Sequence, residues 1–279
     1  MILAADILTS ALGWAAAGLV LVAGIAALMY VGGPLLIYFT HRQSARPHLV
    51  AFKPGVTPLP ADVDQFFHST SWALAQQGFE IVTGIFLPSQ VENVVVALIY
   101  LVNRPEQDSV IAVALHNTAP GMTTTMFHTE FVTRYRDGRV VQTNNAQPLN
   151  AFPIPPECLN SYFPSVRDPV ELYRLHQTLC RRHGGGQKVL KLDKEFGGDG
   201  LRSMAAAIIE ELEAAANAGY MRLDEAGGVY KPTAKGAVLM TYGELWPFKG
   251  IRLRRRAQRE RELLAELAYG AAAARTPQY

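Results

Sequence analysis

Hydrophobic and polar positions are spread very unevenly along this chain. From Ile7 to Phe39 the sequence ILTSALGWAAAGLVLVAGIAALMYVGGPLLIYF carries no charged side chain. A helix needs roughly 20 apolar residues to cross a bilayer core, and this run exceeds that length. It lacks the polar face that a core helix shows at a 3.6-residue period. A cleaved signal peptide has a basic leading region and a shorter apolar stretch; here Asp6 is the one charged side chain before the run. The pattern predicts an uncleaved, single transmembrane anchor over residues 1–40. Pro34 has no backbone donor, so Gly32-Gly33-Pro34 predicts a kink or the end of the main helix, with Leu35 to Phe39 near the headgroups.

After the anchor the pattern becomes that of an α+β chain. Ser44 to Pro60 is proline-rich, and residues 41–60 read as an extended linker. Asp62 to about Gln77 repeats apolar residues at helical spacing and stops at Gly78. Phe79–Leu87, Asn93–Asn103 and Ser109–Asn117 read as strands, the second so continuously apolar that it must be covered on both faces. Thr124–Arg136 and Arg139–Thr143 flank Asp137-Gly138, the pair that suits a type I′ hairpin turn. In the first of these strands Phe127, Thr129, Phe131, Thr133 and Tyr135 share one face, and His128, Glu130, Val132, Arg134 and Arg136 the other. Residues 61–150 are thus expected to form a helix on an antiparallel sheet of four to five strands.

Pro148 to Pro164 is loop-rich. Asp168-Pro169 starts a helix running to about Arg182, with Asp at the N-cap and Pro at the first turn. Leu201–Ala218 is strongly helical. It is followed by two short strand-like stretches, Tyr220–Leu223 and Val229–Lys231, and a Thr233-capped helix to about Leu245. Residues 151–262 therefore read as a helical domain with a wing-like hairpin, and residues 263–279 as a helix end and a frayed tail.

Charge orients the anchor. His41, Arg42, Arg46, His48 and Lys53 follow the span with no acid among them, and the positive-inside bias assigns that flank to the cytoplasm. The expected location is a bacterial-type inner membrane, N-terminus out and soluble domain in. A net charge of +2 excludes a globally basic or acidic binding protein. Cys158 and Cys180 stand alone, with no CxxC or Cys/His cluster, so neither a metal site nor a cofactor is expected.

Candidate chemistry is sparse. His128 and Glu130 project from one strand face and suit an acid–base pair as well as they suit an ordinary polar face. Asn144, in the polar Thr143-Asn144-Asn145 cluster, either binds a ligand or turns the chain. The glycine clusters at 184–186 and 197–200 match no phosphate-binding fingerprint and read as linkers. Cys180 reads as a structural thiol. The strongest signal outside the anchor is the basic run of Lys249, Arg252, Arg254, Arg255, Arg256, Arg259 and Arg261. Anionic lipid attracts such a cluster by about 1 kcal/mol per cation. A solvated helix paired with Glu260, Glu262 and Glu266 explains the same residues.

The segment GYMRLDEAGGVYKPTAKGAVLM resembles the end of a winged-helix domain of the PadR-like kind. The resemblance covers residues 201–245 and rests on a long helix, then a wing ending in Tyr230, the Thr233 cap and the Lys235-Gly236 pair. It implies a wing-shaped module. The helical core that should precede the wing is not evident, and Glu210, Glu211 and Glu213 make the long helix acidic, which argues against nucleic acid as partner. The expected partners are the lipid bilayer, anionic lipid at the basic helix and a protein in the membrane. The expected role is binding or scaffolding. A membrane-bound enzyme with a dispersed site and a membrane-tethered regulator are the alternatives.

Overall fold

The computed structural model of the chain describes residues 2–87, 94–119, 122–146 and 151–273. It is an α+β structure with one antiparallel and one mixed sheet. It divides into two compact units, Met1–Ala45 with Leu212–Leu253 and Arg46–Glu211 with Arg254–Tyr279.

The first unit begins with helix α1 (Ile2–Ala27), which continues through a π-helical turn (Leu28–Gly32) into α2 (Gly33–Thr40). The predicted break at Gly32-Gly33-Pro34 is this π turn, and the helix does not end there. The Gly33 N–H reaches back five residues to the Leu28 carbonyl, the wider spacing that defines a π turn. Pro34 sits in the first turn of α2, where its missing donor is tolerated. A stretch of Trp14–Thr40 has mean hydropathy 2.2 and is only 6% buried. A long apolar helix is therefore present, and it is not packed inside the protein.

Strand β1 (Gln43–Ser44) follows directly, so the first residues of the expected linker join a sheet. The second unit opens with β2 (Val50–Phe52), which is likewise inside the predicted linker. Helix α3 (Ala61–Ala75) then leads into β3 (Glu80–Leu87), β4 (Val94–Asn103), β5 (Asp108–Ala119), β6 (Met122–Arg134), β7 (Val140–Asn144) and β8 (Cys158–Tyr162). The sheet order is β2-β3-β4-β5-β6-β7-β8. This exceeds the four to five strands read from the pattern, because β2 and β8 lie in proline-rich stretches that carry no strand signature. All neighbours are antiparallel except β7 and β8, which are parallel.

The β6–β7 loop also departs from expectation. Gly138 is its one residue at positive φ, 87°, whereas a type I′ turn needs two. The chain closes with the Gly138 N–H on the Tyr135 carbonyl and the Tyr135 N–H on the Arg139 carbonyl. That is a three-residue loop with glycine in the left-handed position.

Helices α4 (Pro169–His183), α5 (Lys191–Glu195) and α6 (Gly200–Asn217) come next. The Asp168 side chain accepts from the Val170 N–H at 2.8 Å, capping α4 as predicted. One face of the sheet packs Ile99, Val110, Ala112, Phe131 and Val141 against Phe67 and Leu74 of α3 and Leu172, Tyr173 and Leu179 of α4. The other packs Leu98, Tyr100, Val102 and Val113 against Leu190, Leu192, Leu201 and Met204. The continuously apolar β4 is indeed covered on both sides.

The hairpin β9 (Met221–Asp224) and β10 (Val229–Pro232), then α7 (Ala234–Tyr242) and α8 (Phe248–Ala273), complete the chain. Thr233 caps α7 by accepting from the Gly236 N–H at 3.1 Å. The wing-like hairpin gains a third strand, since β1 pairs with β10 through Gln43–Tyr230 and Ser44–Val229. Helix α7 packs on α2 within the first unit. A Cβ on Gly33 would meet the Thr241 methyl at 2.8 Å, so glycine is needed for this close approach. Tyr242 meets Tyr30 edge-on, with centroids 5.5 Å apart, and its hydroxyl donates to the Tyr30 carbonyl at 3.0 Å. In an α-helical register that carbonyl would bond to the N–H of residue 34, which is proline. Helix α8 extends into the expected frayed tail as far as Ala273; the rest of that tail lies outside the described residues.

Candidate functional site

Strand pairing joins the three residues that sequence chemistry singled out. Glu130 on β6 is directly opposite Asn144 on β7, and His128 lies on the same face of β6, two residues away. The same face of β7 and β8 carries Gln142, Cys158, Asn160 and Tyr162. Asn144, Asn160, Gln142 and Cys158 form a chain of hydrogen bonds. The Asn144 amide donates to Asn160 Oδ1 at 3.2 Å, and the Asn160 amide to Gln142 Oε1 at 3.0 Å. The Cys158 thiol donates to the same Gln142 oxygen at 3.2 Å. Arg134, two pleat repeats beyond Glu130 on β6, pairs with Glu210 of α6 at 3.2 Å.

This is not a solvated strand face. His128 and Glu130 are half-buried. Burial pushes the Glu130 carboxyl up to about 7, with the Glu211 charge on α6 adding to the shift. Burial pushes the His128 imidazole down to about 4. Burial also raises the Cys158 thiol to about 11, so it is a poor nucleophile at neutral pH. At pH 7 His128 is neutral and Glu130 exchanges a proton easily. Of the two, the Glu130 carboxyl is the group poised near neutrality for proton transfer, whereas His128 is a weak base.

A second cluster lies on the opposite face and escaped the sequence reading. Asp108, at the start of β5, is fully buried. It accepts from the Thr133 hydroxyl at 2.5 Å, the Tyr173 hydroxyl at 3.0 Å and the Lys188 ammonium at 2.9 Å. His176 of α4 is also fully buried, with Nε2 2.8 Å from Thr133 Oγ1 and Nδ1 2.9 Å from Thr143 Oγ1. Thr133 spends its proton on Asp108, so His176 Nε2 carries the hydrogen and Nδ1 accepts from Thr143. Burial holds this imidazole neutral, lowered to about 4. Cys180 Sγ lies 3.5 Å from the same Nε2, and burial raises its thiol above the usual range. The cluster ties α4 and Lys188 to β5, β6 and β7. Its one clue in sequence was a histidine within the apolar stripe Leu172, Tyr173, His176, Leu179 and Cys180 of α4.

The basic run on α8 is not one uniform surface. Lys249 pairs with Glu244 at 2.9 Å, and Arg259 lies 3.8 Å from Glu262. Arg261 donates to the Ala257 carbonyl. The Arg256 guanidinium sits 4.8 Å from the Tyr162 ring centre, facing the sheet. Arg252 is half-buried, whereas Arg254 and Arg255 are exposed. Glu260 is buried and accepts from both the N–H and the hydroxyl of Ser165, at 2.9 and 2.7 Å. Leu263 and Leu267 belong to the sheet core. Beyond Arg255 one face of α8 is thus a structural element.

The glycine clusters are packed in part: Gly186, Gly197 and Gly198 stand in open space at positive φ, whereas Gly184 and Gly200 are closely approached. A Cβ on Gly184 would strike the Tyr135 hydroxyl, and one on Gly200 the Thr83 and Val82 side chains. Asp199 Oδ1 accepts from the Arg202 N–H at 3.0 Å, opening α6. Both cysteines are free thiols. A shallow groove of about 350 Å³ runs beside α3 and β3, lined by His68, Ser71, Trp72 and Ile81. Among the described residues, no three His, Cys, Asp or Glu side chains are grouped to hold a metal ion. Comparison of the chain with family models, with curated proteins and with solved structures finds no match.

Proposed function

We propose that this protein is a single-pass, membrane-anchored scaffold of the bacterial inner membrane, with its N-terminus outside and its α+β part in the cytoplasm. The observation that carries the reading is the exposure of the apolar helix. A core helix of a soluble protein would be mostly buried, whereas the Trp14–Thr40 stretch is 6% buried. Left in water, that surface would be strongly unfavourable; in a bilayer it needs no protein partner. A cleaved signal peptide would discard the segment, yet α2 packs on α7 and Tyr30 accepts from Tyr242. The cationic flank of His41, Arg42, Arg46, His48 and Lys53 supports the cytoplasmic assignment. The scaffold role is supported by the way Asp108, Thr133 and His176 spend their hydrogen bonds on one another, holding elements together.

A reporter active only in the periplasm, fused to the C-terminus, is expected to stay silent, and activity there overturns the orientation. Extraction of the chain from membranes by alkaline carbonate overturns the anchor. The enzyme alternative is favoured by one observation, the register that sets Glu130 opposite Asn144 beside His128. Loss of phenotype on Glu130→Gln with the fold intact would favour it over pure scaffolding. The regulator alternative rests on the wing-like hairpin and is tested by salt-dependent binding of DNA to the full chain in detergent.

A further inference from the structure

The first unit fixes where the membrane surface meets the protein. Helices α2 and α7 run antiparallel: Tyr30 meets Tyr242, Gly33 meets Thr241, and Tyr38 at the other end meets Arg222 of β9. The turn from α7 to α8 therefore lies level with Tyr30, not with Thr40. Those two levels are roughly 15 Å apart along a helix. Trp246 in this turn is 80% exposed. Phe248 stacks on Tyr242, with centroids 5.5 Å apart and rings 14° from parallel, and it is itself partly exposed. Ile251 and Leu253 are exposed on the first turns of α8. Glu244, Lys249 and Arg252 occupy the same short segment.

A bilayer whose hydrocarbon reached Phe39 would enclose these charged groups. Ending the hydrocarbon at Tyr30 leaves them in the headgroup layer, and Ile7 to Met29 still supplies the roughly 20 residues that a span requires. Tyr30, Tyr242, Trp246 and Phe248 then form the aromatic belt favoured at a membrane–water interface. Lys249, Arg252, Arg254 and Arg255 follow with no acid between them, which matches the negative potential of an anionic leaflet.

We propose that the α7–α8 turn is an interfacial hook. Trp246 and Phe248 insert among the headgroups of the leaflet that α1 exits, beside Tyr30, and the cations at the start of α8 engage anionic lipid phosphates. The proposal rests on the reading of α1 as a membrane span, and it moves the cytoplasmic end of that span from Phe39 to Tyr30. Helix α2 with α7 then forms a short stalk outside the hydrocarbon.

The test uses the full chain in vesicles of phosphatidylglycerol and phosphatidylcholine, with and without bromine on the acyl chains near the glycerol. One variant, Trp14→Phe with Trp72→Phe, leaves Trp246 as the fluorophore; the other, Trp72→Phe with Trp246→Phe, leaves Trp14. The hook predicts that Trp246 emits to the blue of its position in water and loses most of its emission in brominated vesicles. Quenched Trp14 with unquenched Trp246 overturns the hook while leaving the anchor intact. Unquenched Trp14 overturns the anchor reading and the hook with it. Quenching of Trp246 that is equally strong without phosphatidylglycerol overturns the role given to the cations.

Discussion

The two units solve the burial problem in opposite ways. The unit built on the seven-stranded sheet encloses its apolar side chains between α3 and α4 on one face and α6 on the other, and it pairs even its buried charge, Asp108, with Lys188. The other unit leaves Leu19, Val20, Leu21, Val22, Ile25 and Leu28 of its long apolar helix exposed. The first shields its apolar side chains by its own packing. The second does not. An apolar surface of that extent beside a well-packed sheet marks the part of a protein that meets something else.

Removing Asp108 attacks the closed unit at its most costly point. Asp108→Ala leaves the Lys188 ammonium with only the Glu106 carboxylate, 3.9 Å away, and takes from the Thr133 and Tyr173 hydroxyls the acceptor they share. The expected loss is about 3–5 kcal/mol, read by urea unfolding of the full chain in detergent followed through Trp72. A change below about 1 kcal/mol would show that the cluster does not hold the sheet and α4 together. His176→Ala removes a buried ring and both threonine contacts, and should cost about 2–4 kcal/mol in the same assay.

In the open unit the close approach of α2 and α7 is the weak point. Gly33→Ala places a methyl against Thr241 and should cost about 1–3 kcal/mol, measured by thermal unfolding in detergent. Adding Thr241→Ser removes the opposing methyl and should restore most of the loss. Failure of that rescue would show that the two helices do not meet there. Tyr242→Phe deletes the hydroxyl on the Tyr30 carbonyl and should cost about 1 kcal/mol.

One further effect depends on pH. The Glu130 carboxyl is raised from 4.5 to about 7 in the folded chain. The folded state therefore binds the proton more tightly, and stability falls as pH rises from about 4.5 through about 7. Glu130→Gln should stabilise the sheet unit by about 1–2 kcal/mol near pH 8, after allowance for the solvent-facing part of the side chain, and by almost nothing near pH 4. His128 and His176, each lowered to about 4, act in the other direction. They favour the folded state above about 6.5, and that contribution is lost as pH falls towards 4. Equal urea midpoints for Glu130→Gln and the unchanged chain near pH 8 would count against a raised carboxyl.

Much of the local structure was legible along the chain. The Asp168-Pro169 start, the Thr233 cap, the alternation of β6 and the uninterrupted apolar run of β4 are features of near neighbours in sequence. They became α4, α7 and two strands as expected. Strands β2 and β8 were not legible, because Val50–Phe52 and Cys158–Tyr162 are short, lie among prolines and are held by partners far away in the chain. The same reason hid half of the polar patch. Glu130 and His128 could be paired by their spacing on one strand. Asn160, Cys158 and Tyr162 joined them only through the parallel pairing of β7 with β8.

The sequence by itself determined that one long helix is apolar on all sides and that an α+β part follows it, since composition and periodicity are properties of contiguous residues. Tertiary structure alone decided that Asp108, Thr133, Thr143 and His176 share one buried set of hydrogen bonds, and that the stretch from Tyr30 to Ser44 closes on the hairpin and α7. Such long-range pairings depend on complementary shape and on the need of every buried polar group for a partner. Neither is written in the spacing of residues along the chain.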